Sequence, residues 1–376
     1  MIKKFLQKIF KIVSYTFFES IHGKIKDSIT SNQSNSIEVK SINFDKDLNY
    51  KVYKIINGRL YTDRIHDTAV IIENKIIEEP SFQWRFTKDP KLYNSNVKNN
   101  IVFTKGTPRK LKDLNGVVLS LLTGGGANKN YWHWIFDVLP RIGLCEKTFG
   151  LNNVDYFLLP DHVKKFQIET LDCLKISNEK KRLSSEKFRH IKAKELIVTD
   201  HPVVTSGDAT KDIMDSPKWI SDWLKSNFIN EDVKNSKING KKIYIDRSDI
   251  VSDPFSQRII INEDEVKAFL LKNNFISIKL HEMKFIDQVK LFYNVNTIVG
   301  LHGGGFANLV FCKPGTKIIE LRSSQAGPPI ENLAKKNSLN YNSITVNAEQ
   351  KNKLSYPNQH GAIHIPISIL EKKIRN

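Results

Sequence analysis

The segment 297–321, TIVGLHGGGFANLVFCKPGTKIIEL, restricts the possible folds of this chain more than any other stretch. Residues 297–300 read as a short buried strand that runs into His302 and three consecutive glycines, Gly303, Gly304 and Gly305. Residues 306–311 follow as a short helix, ended by Lys313, Pro314 and Gly315, and 316–321 read as the next strand, with Glu320 near its end. Strand, glycine turn and helix start form the layout in which an α/β sheet offers bare backbone N–H groups to an anion. Glycine suits such a turn because no side chain blocks close approach and φ > 0 carries no penalty. The same glycines also suit a tight turn that only packs a helix on a sheet, and their spacing does not separate the two.

A second unit of this kind lies earlier. Residues 117–122 are a buried-strand candidate ending in Thr123, Gly124, Gly125 and Gly126. Residues 131–139 follow as a helix, ended by Pro140 and Arg141. On that helix His133 and Asp137 are four apart and share a face, while Trp134 and Val138 form a strip suited to packing. The pair either carries chemistry or fastens the helix.

Between and beyond these units strands and helices alternate. Strands are expected over 155–159 and 194–199, and helices over 162–174 and from Ser216-Pro217 to 228, with the serine as cap. After the polar run 230–241, strands at 242–246, 275–280, 297–300, 316–321 and 341–346 alternate with helices near 263–273, 284–293 and 329–338. Asn262 with Glu265 is a capping-box variant. Such alternation argues for a parallel sheet covered on both faces, with ligands beyond the carboxyl ends of its strands. Arg247, His302 and Glu320 fall near such ends. Four parts are expected: an amphipathic helix and polar linker (1–40), an N-terminal domain with a small β-rich lead-in (41–235), a C-terminal domain (236–350), and a tail packing back on the N-terminal domain (351–376). The lead-in includes a hairpin, 68–72 and 75–77 around Glu73-Asn74.

The chain has 376 residues and a formal charge of +18, a balance that suits nucleic acid, an anionic membrane face or phosphorylated small molecules. Its lysines are scattered, without a long basic arm or aromatic-basic clusters, so no nucleic-acid partner is expected. Cys145, Cys173 and Cys312 are odd in number and far apart, which argues against a disulfide framework or zinc site and for a reducing, cytoplasmic setting. In 1–26, Ile2, Phe5, Leu6, Ile9, Phe10, Val13, Phe17 and Ile21 recur at helical spacing among Lys3, Lys4, Lys8, Lys11 and Lys24. No uncharged run reaches the ~18 residues of a spanning helix, and no cleavage site follows. The segment reads either as a basic amphipathic helix lying on the inner-membrane surface or as a helix packed on its own domain.

Three segments together resemble glycosyltransferase family 61. The first holds His133, Trp134 and Asp137; the second runs from Asp246-Arg247 through Arg258 to Asn262-Glu263; the third holds Gly300, His302, Gly303, Gly305, Asn308, Pro314, Gly315 and Glu320. Gly304, Gly305 and Phe306 depart mildly from the family's usual small residue, glycine and aliphatic residue. The family includes plant xylan-decorating transferases, animal protein O-linked N-acetylglucosaminyltransferases and bacterial capsule and exopolysaccharide proteins, the last being the expected type here.

The resemblance implies an α/β, GT-B-type fold, two Rossmann-like domains facing a cleft. It also implies inverting transfer from a nucleotide sugar, UDP-linked in the expected case, to a glycan or lipid-linked glycan, with no metal and no cofactor. The only Asp-x-Asp triplet, Asp45-Lys46-Asp47, reads as solvated surface, and Glu263-Asp264-Glu265 opens a helix whose dipole favours negative charge. Donor contacts are expected from Arg247, Arg258, His302, Gly303, Gly304, Gly305, Asn308 and Glu320, the arginines on phosphate and Glu320 on ribose. The base is expected to be Asp137 or His133, or the two as a pair. A membrane-associated polysaccharide assembly protein that keeps this fold without turnover is the alternative.

Overall fold

The computed structural model describes residues 2–45, 48–63, 66–88, 91–124, 129–176, 181–236, 241–247, 258–348 and 361–375. Lys46 and Asp47 of the Asp-x-Asp triplet lie outside the described residues. The chain folds into two compact units, Met1–Ile213 and Met214–Asn376.

The first unit is built on one twelve-stranded sheet. Four of its strands form a contiguous parallel set: β1 (Lys112–Ser120), β2 (Tyr156–Leu159), β3 (Arg182–Ser184) and β4 (His190–Thr199), in the order β3-β2-β1-β4. This is the first part of the doubly wound order 3-2-1-4, and it reverses direction between β1 and β4. The other side of β4 pairs antiparallel with Leu48–Ile56 and Arg59–Thr62. The β-rich lead-in is therefore not small: it extends the parallel strands into one sheet and covers what would be an open edge. Val118, Leu158, Ile191 and Leu196 share a core with Tyr53, Ile55 and Val70 from the lead-in. The hairpin of Asp67–Ile72 and Lys75–Ile77 forms about Glu73 (φ 46) and Asn74 (φ 61), a left-handed pair that such two-residue turns require.

The polar stretch expected as a linker belongs to this body. Asp27–Ile29 pairs parallel with Lys75–Ile77, and Ser31 gives both its backbone N–H and its hydroxyl to Glu79. A carboxylate that accepts from Ser31 explains why a Ser/Asn-rich segment is ordered. Before it runs the helix Ile2–His22, whose last carbonyl accepts from Arg59. Ile9, Ile12, Val13, Phe17 and Ile21 on this helix are exposed. No described helix is long and apolar enough to cross a membrane.

The second unit is a five-stranded parallel sheet of β5 (Lys241–Ile245), β6 (Phe275–Ile278), β7 (Val295–Leu301), β8 (Lys317–Ser323) and β9 (Asn340–Val346), in the order β6-β5-β7-β8-β9. Numbered within the unit this is 2-1-3-4-5, the other common doubly wound order, with its reversal between β5 and β7. The helix Lys218–Phe228 belongs to this unit, so the division falls nearer 213 than the polar run at 230–241. The reason is aromatic packing. Phe228 meets Phe285 edge-to-face at 4.9 Å and Phe311 at 6.1 Å, and all three are buried. The Ser216 hydroxyl has no partner among the described residues, and Pro217 takes the cap position instead.

The described part of the C-terminal tail also packs within the second unit, not on the first. Gly361–Ile363 pairs with Arg258–Ile260, and Ile363, Ile365 and Leu370 join Tyr244, Val299 and Leu321 in one core. Asn262, expected as a helix cap, clamps this tail: its amide donates to the Ile365 carbonyl and its oxygen accepts from the Ile365 N–H, both at 2.9 Å. Its cap geometry shows no side-chain bond to the helix backbone.

Candidate active site

Each unit places a polar cluster at the carboxyl ends of the strands that flank its reversal point. In the first unit the chain leaves β1 through Leu121–Gly124, with Gly124 at φ 90, the left-handed region that glycine adopts freely. Gly125 and Gly126 lie outside the described residues. A helix then starts at Tyr131, where the Asn130 side chain accepts from the Trp132 N–H. It does not stop at Pro140. Trp134–Val138 forms a π-helical turn, in which Leu139 N–H reaches back five residues to the Trp134 carbonyl, and Pro140–Thr148 continues as α-helix. Proline has no N–H to give to the preceding turn, and the wider turn accommodates it.

Asp137 sits in this π turn, buried. Its Oδ2 lies 2.7 Å from His133 Nδ1. The expected pair is therefore formed, with the carboxylate orienting the ring and leaving Nε2 as the outward nitrogen. Burial alone would raise the Asp137 carboxyl, but His133, with His201 and Arg141, outweighs it and holds it below the ordinary range. Burial likewise opposes the His133 imidazolium, yet the Asp137 carboxylate wins and raises it above 6.5.

Behind the pair stands Arg141, which sequence reasoning took only as a helix stop. It is 3% exposed; its Nε donates to the Asp137 carbonyl and its Nη1 to the carbonyl and hydroxyl of Thr199, the last residue of β4. Thus Arg141 bolts the π turn to the strand end. His201, two residues beyond β4, was also missed. Its Nδ1 accepts from the backbone N–H groups of Val203 and Val204, and burial pulls its pKa down to about 3. The available signal was its position just after a strand, which the unit's order turns into a reversal point.

In the second unit the polar cluster gathers where β5 and β7 end. Arg247 Nη1 donates to the His302 carbonyl at 2.8 Å and Arg258 Nη1 to the same oxygen at 3.0 Å. Burial, then the neighbouring Arg247, lower the Arg258 guanidinium to about 10. Two guanidinium groups on one carbonyl repel each other, and an anion placed between them relieves that repulsion. Gly303 is required by this packing. A Cβ there would lie 2.3 Å from Arg247 Nη1, whereas its φ of 164° is extended backbone open to any residue. At Gly305 a Cβ would meet Leu280 at 2.9 Å. Gly304 opens the 3-10 helix Gly304–Phe311. Gly303 and Gly305 thus admit neighbouring side chains, and none of the three glycines supplies a left-handed turn.

Three expected donor residues stand differently from the expectation. Glu320 is fully buried, with one oxygen on His302 Nδ1 and the other on the Tyr341 hydroxyl and near Arg322. Its carboxylate is committed to protein groups and orients His302, so it is not open to ribose. His302 is itself 5% exposed. Asn308 has no exposed surface and donates to Gln288, which ties the 3-10 helix to Phe285–Asn294. Asp246 is held by Lys267 and Ser277 and supports the strand end. Tyr341 had no local signature, because pairing of β8 with β9 is what brings it to Glu320, whereas Arg322 lies two residues along β8 on the same face.

A family model described as Glycosyltransferase 61 matches residues 131–319. None of the curated proteins compared with the chain matches it. The matched span opens at Tyr131, two residues before His133, and takes in Asp137, Arg247, Arg258 and His302, stopping one residue short of Glu320. With half of its residues covered by that match, the chain belongs to glycosyltransferase family 61.

Proposed function

We propose that this glycosyltransferase moves a sugar with inversion from a nucleotide diphosphate, UDP in the expected case, to a growing surface polysaccharide or lipid-linked glycan without a metal ion. The observation that carries the reading is the convergence of Arg247 and Arg258 on the His302 carbonyl, at the reversal point of a 2-1-3-4-5 sheet. Ligands of such sheets sit there, and guanidinium forks match phosphate oxygens two at a time. The second unit is then the donor half of a GT-B-type enzyme and the first unit the acceptor half.

In the reaction the acceptor oxygen attacks the anomeric carbon while the bond to the diphosphate oxygen breaks. The electron pair leaves with the diphosphate, where the two arginines meet the growing charge. The acceptor proton passes to Nε2 of His133, and Asp137 holds the ring and stabilises the imidazolium. A single displacement of this kind inverts the anomeric centre. His302, its ring held by Glu320, offers the carbonyl that gathers the two arginines.

The exposed apolar residues of Ile2–His22, interleaved in sequence with lysines, support a peripheral position of the helix on the inner-membrane surface, with the catalytic body in the cytoplasm. The test of donor class is a panel of nucleotide sugars screened by thermal shift, with and without chelator, followed by NMR of the product's anomeric configuration. A chelator-resistant shift by one nucleotide family, lost in Arg247→Ala, is expected. Binding that requires added divalent metal, or a product with retained configuration, contradicts the reading.

A further inference from the structure

The first unit holds a cavity of about 270 Å³ that Arg141 and His201, the neighbours of Asp137, help to line. It lies beyond the carboxyl end of β4, and its walls include Thr199, Asp200 and His201. It falls below the roughly 300–1,000 Å³ of sites that take drug-sized ligands, so it has room for one small polar unit. Its polar groups are of both kinds. Arg141, all but buried, spends Nε and Nη1 on the protein, and its Nη2 has no partner among the described residues. His201 accepts two backbone N–H groups at Nδ1, which fixes the neutral tautomer with a hydrogen on Nε2. That N–H also has no partner among the described residues. On the acceptor side stand the carboxylates of Glu79, already accepting from Ser31, and Asp200, already accepting from the Lys51 N–H and the Tyr53 hydroxyl; Glu79 Oε2 and both Asp200 oxygens each keep a second lone pair. Trp84 adds an aromatic wall; its indole N–H is tied to the Thr123 carbonyl, so the ring is held in place.

Donors alone would suit an anion, and acceptors alone a cation. A set of both, beside an indole, matches a ring of hydroxyl groups, each of which donates once and accepts from another direction. We propose that this cavity holds one neutral sugar ring, the terminal residue of the acceptor glycan whose hydroxyl becomes glycosylated. The inference rests on the transferase reading above and adds to it the acceptor's class and place. Arg141 and His201 touch the ring; Arg141 also fixes the π turn that carries Asp137, so pocket and base are parts of one assembly.

The experiment uses the full chain without donor, so that it stands apart from turnover. Saturation-transfer NMR is recorded with methyl glycosides of neutral hexoses and N-acetylhexosamines, and with methyl glucuronide and glycerol for comparison. At least one neutral glycoside is expected to bind, and the glucuronide and glycerol are not. Thr205 is exposed and lines the cavity. Thr205→Trp should abolish the glycoside signal and raise acceptor KM at least tenfold, with donor KM within twofold. Asn49→Trp, at another exposed lining position, repeats the block should the first variant unfold. Glycoside binding that survives both blocks, preference for the glucuronide, or no glycoside bound at all overturns the proposal. Failure of nucleotide-sugar binding, measured separately, counts against the donor reading and leaves the cavity result standing.

Discussion

At the scale of single residues, the His133–Asp137 contact makes a statement about pH. The base form of His133 is neutral, and its carboxylate partner raises its pKa, so the acid limb of the rate profile should lie above 6.5. In Asp137→Asn that support is gone: the limb should move downward while the rate falls by about 10²–10⁴. His133→Ala should lose transfer to a similar degree, with an unchanged circular dichroism spectrum. Wild-type turnover in either variant removes the pair from the mechanism. Gly303→Ala probes the other cluster. The new methyl must displace the Arg247 guanidinium, the flexible end of a long side chain, so stability should change little. Losing one charge-assisted bond corresponds to about 10–100-fold in donor KM. Unchanged donor KM separates Arg247 from the diphosphate.

At the scale of elements, the C-terminal helix Ile367–Arg375 is part of the second unit's core. Leu370 is fully buried there, and Leu370→Ala should cost about 2–5 kcal/mol in urea unfolding. A cost under ~0.5 kcal/mol places the helix elsewhere. The N-terminal helix makes the opposite prediction. Removing residues 2–22 should leave transfer to a soluble acceptor and abolish co-sedimentation with phosphatidylglycerol vesicles. Retained vesicle binding rejects the helix as the anchor. The π turn shows why the helix break expected at Pro140 does not occur: an inserted residue lets the helix continue past a proline and turns Asp137 toward β4 through the Arg141 bonds.

For the whole molecule, the first unit carries two histidines held in neutral form. Burial lowers His190 and His201 to about 3, each from 6.5. Between those values the unfolded chain binds more protons than the folded one. Stability from these groups is therefore complete above 6.5 and drains away as pH falls toward 3. Urea midpoints of the first unit should fall steadily from pH 7 to pH 4; a flat response over that range shows that the two rings are not held as neutral groups. The same unit owes its sheet to long-range pairing, because β4 joins residues 48–62 to the parallel strands.

Much of this was readable from local pattern. The period of apolar runs, the glycine turns and the i, i+4 spacing of His133 and Asp137 marked the alternating strands and helices, the strand-end positions and the paired residues, since each depends on neighbours within a few positions. Tertiary structure alone decided the rest. Strand order placed His201 and Arg141 at a reversal point, paired β8 with β7 and β9 so that Glu320 was spent on His302 and Tyr341, and drew the tail into the second core. Those outcomes depend on pairings between residues tens of positions apart, which no short-range spacing encodes.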